Sequence, residues 1–223
     1  MNRVRHSGVS TLLRESPKLI CLARTFPKHA AELGNAIPTD PIFFLKSGSS
    51  VIGDGDLIEL PRDIGVVHHE GEIAVVLATS LTHATKADAA AAIAGYTVLN
   101  DVTARSVQSA EGGRFSRAKS YDTFGPISDE LMTEVSWRRL SVRCLVNGEL
   151  RQCGSLCDMY IEPFELIAWV SHHLTLNTGD VISLGTPPGV NELLDGDLLE
   201  TMLCVDDQPA ICIRNRVVCA PNR

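Results

Sequence analysis

The chain has 223 residues, 44% of them hydrophobic and 21% charged, with a formal net charge of -7. That length supports one large domain with a substantial core, and the acidic balance argues against nucleic acid or an anionic membrane as partner, since both need basic patches. Seven cysteines without a Cys-x-x-Cys spacing fit reduced, mostly buried thiols rather than a disulfide frame, and no run approaches the ~18 apolar residues of a membrane span.

Residues 1–16 read as a polar, loosely held leader without the apolar stretch of a signal peptide, so a cytoplasmic protein is expected. Residues 17–223 carry no linker, repeat or low-complexity run and read as a single domain. Early in it, His29 and Glu32 lie three apart, share a face of a helical turn and can hydrogen-bond. A carboxylate beside an imidazole orients the ring and raises its basicity, as needed to take a proton from water. Pro27 and Gly34 flank this turn as its stops.

The apolar, β-branched run that follows Val67-His68-His69-Glu70-Gly71-Glu72 predicts a strand. Side chains alternate along a strand, so Glu70 and Glu72 point the same way and repel each other unless a cation sits between them. A third acid, Asp101, follows a second strand-like run over residues 95–100. Three carboxylates with no companion Cys or His cluster suit a hard divalent ion, Mg²⁺ or Mn²⁺, rather than zinc. His68 and His69 read as structural or supporting groups.

Further on, Thr85-Lys86-Ala87-Asp88 is a capping-box start to an Ala-rich helix that stops at Gly95. Leu140–Val146, Asn147-Gly148 and residues 149–152 read as a β-hairpin, because Asn-Gly accepts the positive φ angles of a type I′ turn. Pro163 opens a helix over residues 164–174, with His172-His173 at its carbonyl end. Residues 181–184, Leu198–Val205 and 210–213 read as strands, with Asp206-Asp207-Gln208-Pro209 turning the last two into a hairpin. The pattern is α+β and strand-rich.

Five phrases stand in order along the chain. They are Leu22-Ala23-Arg24-Thr25-Phe26-Pro27-Lys28-His29-Ala30-Ala31-Glu32-Leu33-Gly34-Asn35 with Phe44-Leu45-Lys46, the acids at 70 and 72, Asn100-Asp101-Val102-Thr103-Ala104-Arg105 with Gln108, Arg117-Ala118-Lys119-Ser120-Tyr121-Asp122-Thr123-Phe124-Gly125-Pro126, and Gly185-Thr186-Pro187-Pro188-Gly189-Val190. Over roughly residues 17 to 215 the chain resembles the fumarylacetoacetate hydrolase family. The nearer likeness is to its small single-domain acylpyruvase and oxaloacetate decarboxylase branch.

The resemblance implies a mixed β-sandwich roll of the family's C-terminal-domain type, with a few peripheral helices. It implies Glu70, Glu72 and Asp101 as ligands of Mg²⁺ or Mn²⁺, and His29 with Glu32 as a catalytic pair on a mobile lid. Lys119 would be the catalytic ammonium beside the metal. Arg24, Gln108 and Thr186 match substrate-pocket positions, Thr186 offering its hydroxyl and backbone N–H to a carboxylate; Lys46 carries no assigned role. The implied partners are a small 2-oxo acid and a second copy of the chain, as a homodimer.

The implied activity is metal-dependent hydrolysis of a carbon–carbon bond in acylpyruvates (2,4-dioxo acids), with oxaloacetate decarboxylation through the same pyruvate enolate. One alternative is an isomerase or decarboxylase of an unsaturated oxo-dicarboxylate from aromatic catabolism; another is a non-catalytic protein that binds metal or oxo acid. Three positions depart from the family pattern. Thr25-Phe26 replaces Asn-Tyr, Tyr121 stands where Phe is usual, and Cys153-Gly154-Ser155 replaces polar residues of a substrate loop. The first departure touches the lid, so lid closure and substrate choice are expected to differ.

Overall fold

The computed structural model describes residues 2–5 and 17–220. Seven strands form one sheet in the order Asn2–Arg5, Glu130–Thr133, Ile93–Asn100, Gly71–Leu77, Val181–Ser183, Leu19–Ala23, Ile42–Lys46. Within it Val181–Ser183 and Leu19–Ala23 run parallel, and the other neighbours are antiparallel. A five-stranded sheet follows the order Glu149–Ser155, Leu140–Val146, Leu198–Val205, Gln208–Cys219, Ile58–Leu60, the last pair parallel.

The two sheets share one apolar core. Ile73, Val75 and Leu77 of the first meet Leu140, Val142, Leu203 and Ile213 of the second, and the helices Lys86–Ala91 and Pro163–Ser171 add Ala89, Leu166, Ile167 and Val170. Strand alternation explains the division. On Gly71–Leu77, whose residues are all buried, Ala74 and Val76 turn to the opposite face and join Leu19, Cys21 and Leu99 in a second cluster. Glu72 shares their parity. It therefore enters that buried face as a carboxylate, and burying a charge is costly without partners. The architecture is the strand-rich α+β sandwich with peripheral helices that was expected.

Local readings fare well where a named interaction fixes them. The hairpin forms as predicted, with Asn147 and Gly148 at φ 54° and 80°. Thr85 and Asp88 make both bonds of the capping box. Thr85→Ala should cost ~1 kcal/mol of stability, the usual scale for a lost N-cap. An unchanged midpoint in urea unfolding would show that tertiary packing alone holds this helix.

Other boundaries differ. The Lys86–Ala91 helix ends before Gly95, which lies inside the strand Ile93–Asn100. A Cβ there would stand 3.0 Å from the Met132 carbonyl oxygen, so glycine serves close strand approach rather than helix termination. The later helix ends at Ser171 and His172 caps it, while the His173 ring donates back to the Trp169 carbonyl at 2.9 Å. The last turn is Asp206-Asp207 alone, at φ 49° and 62°, with Gln208 and Pro209 already in a strand of 12 residues. Arg214-Asn215-Arg216 hid that length. The two arginines face solvent, while Asn215 is buried and donates to the Gly53 and Asp56 carbonyls.

Of the expected leader, Asn2–Arg5 pairs with Glu130–Thr133 at the sheet edge, and residues 6–16 lie outside the described residues. All seven cysteines are free, but only Cys21, Cys144 and Cys204 are buried, fewer than expected. Among the described residues no helix is long and apolar enough to cross a membrane.

Candidate active site

The antiparallel pairing of Gly71–Leu77 with Ile93–Asn100 sets Gly71 opposite Asn100, and the Asp101 N–H donates to the Glu70 carbonyl at 2.8 Å. Two strand ends thus deliver three acids to one place. One carboxylate oxygen from each of Glu70, Glu72 and Asp101 lies within 4.8 Å of the others, and all three residues are buried.

Cations surround two of them. The Lys119 ammonium donates to Glu70 Oε2 at 2.5 Å and to Asp101 Oδ2 at 2.6 Å. Lys46 donates to Asp101 Oδ1 at 2.8 Å and to the main-chain carbonyl of Lys119. The Arg105 guanidinium binds Glu70 Oε1 and donates to Gln108 Oε1 at 2.6 Å. Among the described residues Glu72 accepts hydrogen bonds only from neutral donors, the Ser183 hydroxyl and the Gly185 N–H at 3.2 Å.

The protonation preferences follow. Burial pushes the Glu70 carboxyl up, but Lys119 and Arg105 together outweigh it and hold it well below the usual carboxylate range. Burial, then the charges of Asp101 and Glu70, push Glu72 well above that range. Lys119 pays a burial penalty too, but Asp101, Glu70 and Glu72 keep it charged and raise its pKa. Three buried oxygen donors, one of them an acid with no hydrogen bond to a cation among the described residues, fit a hard divalent ion. Lys46, Lys119 and Arg105 pair with Glu70 and Asp101, so an added divalent ion would bring further positive charge to the cavity and complement an anionic ligand.

A cavity of about 460 Å³ opens over this cluster, within the range of small-molecule sites. It is lined by Arg24, His29, Glu70, Glu72, Asp101, Gln108, Lys119 and Thr186, eight of the nine residues singled out from sequence. The ninth, Glu32, stands behind His29. On the helix Pro27–Glu32 the His29 Nδ1 donates to Glu32 Oε2 at 3.0 Å, and Glu32 Oε1 accepts from the Gly189 N–H at 2.9 Å. With the proton on Nδ1, the ring's Nε2 is left as an acceptor. Phe44 and Phe115, stacked with ring centroids 4.8 Å apart, form an apolar side of the cavity, and the Lys119 ammonium sits 5.4 Å over the Phe44 ring.

Several expected roles are sharpened. The Thr186 hydroxyl donates to the Gly71 carbonyl at 2.9 Å and accepts from Gln152 Nε2 at 2.7 Å, so its proton is already committed. The expectation that this hydroxyl serves a substrate carboxylate is therefore corrected, and the backbone N–H remains. Gln108 has its carbonyl oxygen taken by Arg105, which leaves its NH₂ as the end free for a ligand.

Arg24 sits at φ 58°, a left-handed conformation that costs a non-glycine residue ~1–3 kcal/mol and recurs at functional sites. Thr25 and Phe26 do not line the cavity. The Thr25 hydroxyl donates to the Leu184 carbonyl at 2.6 Å and Phe26 is buried in the core, so this departure from the family pattern seats the segment from behind. Cys153-Gly154-Ser155 ends an edge strand, and a Cβ on Gly154 would lie 2.4 Å from Pro187 Cβ. Close packing, not substrate contact, occupies that stretch.

Sequence reasoning missed Arg105, Lys46, Ser183 and Gln152. Arg105 and Lys46 lay inside quoted phrases, and a count of buried charges would have flagged them. Ser183 and Gln152 come from distant strands and carry no local signal. His68 accepts from Arg105 Nε at 3.4 Å, and burial followed by that charge lowers its pKa to about 4. His69 is buried against Gln152. Both histidines are supporting groups, as expected.

Residues 18–218 match the family model described as fumarylacetoacetate (FAA) hydrolase C-terminal. The chain belongs to the fumarylacetoacetate hydrolase family. It is 42% identical over 183 residues to an uncharacterized protein of Methanocaldococcus jannaschii, covering 82% of this chain and 77% of that one. It is 37% identical over 195 residues to a mitochondrial oxaloacetate tautomerase of Arabidopsis thaliana, covering 85% and 87%. Among solved structures, the 5-carboxymethyl-2-hydroxymuconate delta-isomerase of Mycobacterium smegmatis superposes with a TM-score of 0.83 at 36% identity, covering 93% of this chain and 80% of that one. The sandwich-roll expectation therefore holds for the family as well as for this chain.

Proposed function

We propose that this fumarylacetoacetate hydrolase family member is a Mg²⁺- or Mn²⁺-dependent enzyme that acts on small 2-oxo acids through a stabilised enolate. The observation that carries the reading is one cavity lined by an oriented imidazole, a charged ammonium and three clustered carboxylates. Glu70, Glu72 and Asp101 would hold the ion. When bound, it supplies a Lewis acid that polarises the substrate's oxygens and favours negative charge on them.

The chain's own residues do the rest. Arg24 and the Gln108 NH₂ bind the substrate's carboxylate and carbonyl oxygens. The Lys119 ammonium stabilises the oxygen that becomes negative as the enolate forms. His29, with Glu32 fixing its Nδ1 proton, accepts a proton at Nε2. Taken from C3 and returned to the enolate oxygen, that proton makes the reaction a keto–enol tautomerisation. The names of the tautomerase and isomerase relatives favour such proton transfer as the leading reaction.

Hydrolysis of acylpyruvates is the second reading, and the His29–Glu32 pair favours it equally. The proton then comes from water, the water oxygen adds to the C4 carbonyl, and C3–C4 breaks to leave pyruvate enolate. Oxaloacetate decarboxylation reaches the same enolate without the base. A purely binding role is opposed by the oriented His29, buried at the cavity wall, and the charged Lys119 facing the cavity. The assembly proposed from the family resemblance is a homodimer, and a sedimentation mass of 24.1 kDa would refute it.

The test is a panel of enol-oxaloacetate, acylpyruvates and unsaturated oxo-dicarboxylates, assayed with Mg²⁺ and with chelator. Metal-dependent loss of the enol absorbance is expected, and tight oxo-acid binding without turnover of any member would sink the proposal. The ion site has its own check. Glu72→Ala should abolish divalent binding in calorimetry while the ion-free fold stays as stable as wild type, because a buried acid crowded by Asp101 and Glu70 has been removed. An unchanged Mg²⁺ titration would end the assignment.

A further inference from the structure

Gln152 lies on the strand Glu149–Ser155, is fully buried and is not among the cavity-lining residues. Its carboxamide makes four hydrogen bonds. Oε1 accepts from the Gly71 N–H at 2.9 Å and from His69 Nδ1 at 2.9 Å. Nε2 donates to Thr186 Oγ1 at 2.7 Å and to the Pro187 carbonyl at 2.8 Å. A flipped amide would set its NH₂ against the Gly71 N–H and its oxygen against the Pro187 carbonyl. Only one orientation satisfies all four.

Gly71 is the residue between Glu70 and Glu72. Its N–H is held by Gln152, and its carbonyl is held by Thr186, whose hydroxyl Gln152 fixes in turn. One amide therefore clamps, directly or through one hydroxyl, both peptide units that join the two acids. Space enforces the clamp. A Cβ at Gly71 would lie 3.1 Å from Cys144 Cβ and 3.2 Å from Thr201 Cγ2, so this backbone is pressed against the second sheet. The same amide ties the acids to the Thr186-Pro187 turn, three residues before the Gly189 that anchors Glu32.

We propose that Gln152 is a positioning residue for the ion-binding pair. It sets the directions in which Glu70 and Glu72 leave the backbone and locks them to the Thr186-Pro187 turn. The inference rests on the ion site proposed above. Groups that hydrogen-bond to the residues carrying metal ligands commonly set affinity by 10–100-fold.

The experiment is calorimetric titration of the full chain with Mg²⁺ or Mn²⁺ alone, comparing wild type with Gln152→Met, which keeps the length and loses every hydrogen bond. Ion affinity should fall roughly 10–100-fold, with the far-UV spectrum unchanged. At saturating ion, kcat should recover while KM for the oxo acid stays raised, because the Thr186 turn remains loose. If Gln152→Met fails to fold, Gln152→Glu decides. It keeps both acceptor bonds and loses the donors to Thr186 and Pro187, so its KM should rise. A folded methionine variant that binds the ion as wild type does would reduce Gln152 to a packing residue and overturn the inference, as would a glutamate variant with wild-type KM. A wild-type protein that binds no divalent ion would overturn the ion site itself, and this inference with it.

Discussion

Lys119→Met should remove turnover of every oxo acid together while leaving divalent binding intact or stronger. The side chain keeps its apolar stem, and the ammonium that is lost bridges Glu70 and Asp101 at 2.5 and 2.6 Å. Without it two buried carboxylates lose their shared cation, while Lys46 and Arg105 stay on Asp101 and Glu70 and keep the cost below the ~3–5 kcal/mol of a fully unpaired buried charge. The ion-free variant should therefore melt below wild type, and a divalent ion should recover most of the difference by taking over the same oxygens. Oxalate, which resembles the pyruvate enolate in charge and shape, should bind more weakly by about 1.5–3 kcal/mol, the scale of a charge-assisted hydrogen bond. Normal oxalate affinity and normal turnover in this variant would mean that the ammonium only balances charge in the fold.

His29→Ala should separate the reactions instead of losing them together. Steps that need a base, tautomerisation and acylpyruvate hydrolysis, should slow by ~10²–10⁴-fold, the usual scale of general acid–base catalysis. Oxaloacetate decarboxylation needs no base and should suffer far less. Ion affinity should not change, because His29 contacts none of the three carboxylates directly. Equal loss in all three reactions at unchanged KM would assign His29 to sealing the cavity rather than to moving protons. Loss in none would make the His29–Glu32 pair an ordinary helical contact.

What the sequence disclosed and what it hid divide along a physical line. Glu70 with Glu72, and His29 with Glu32, sit in short phrases where spacing fixes a shared face; the place of Asp101 and Lys119 beside them in one cavity was legible through the family resemblance. The capping box at Thr85 and the Asn147-Gly148 turn were legible from spacing too, since each is a contact between near neighbours. The neutral scaffold was not. Gln152 and Ser183 reach the site from positions 81 and 111 residues from their partners Gly71 and Glu72, and nothing near either residue announces it. Thr186 was found but its hydroxyl was assigned outward, because only the folded chain reveals that Gly71 and Gln152 have already claimed it. The strand Gln208–Cys219 was read short because its exposed arginines look like a loop until a sheet is there to carry them.

Glu32 divides its two oxygens between a ring on its own helix and a backbone amide 157 residues away. Lifting the helix off the Gly189 loop would break the second bond and leave the carboxylate and its ring without an anchor outside their own helix. The base would then lose its aim at the moment the cavity opened to water. On the proposed mechanism, proton transfer would be tied to the seated state. Turnover should then scale with the fraction of time the helix spends down, since the enolate would meet an aimed base only while solvent is kept out.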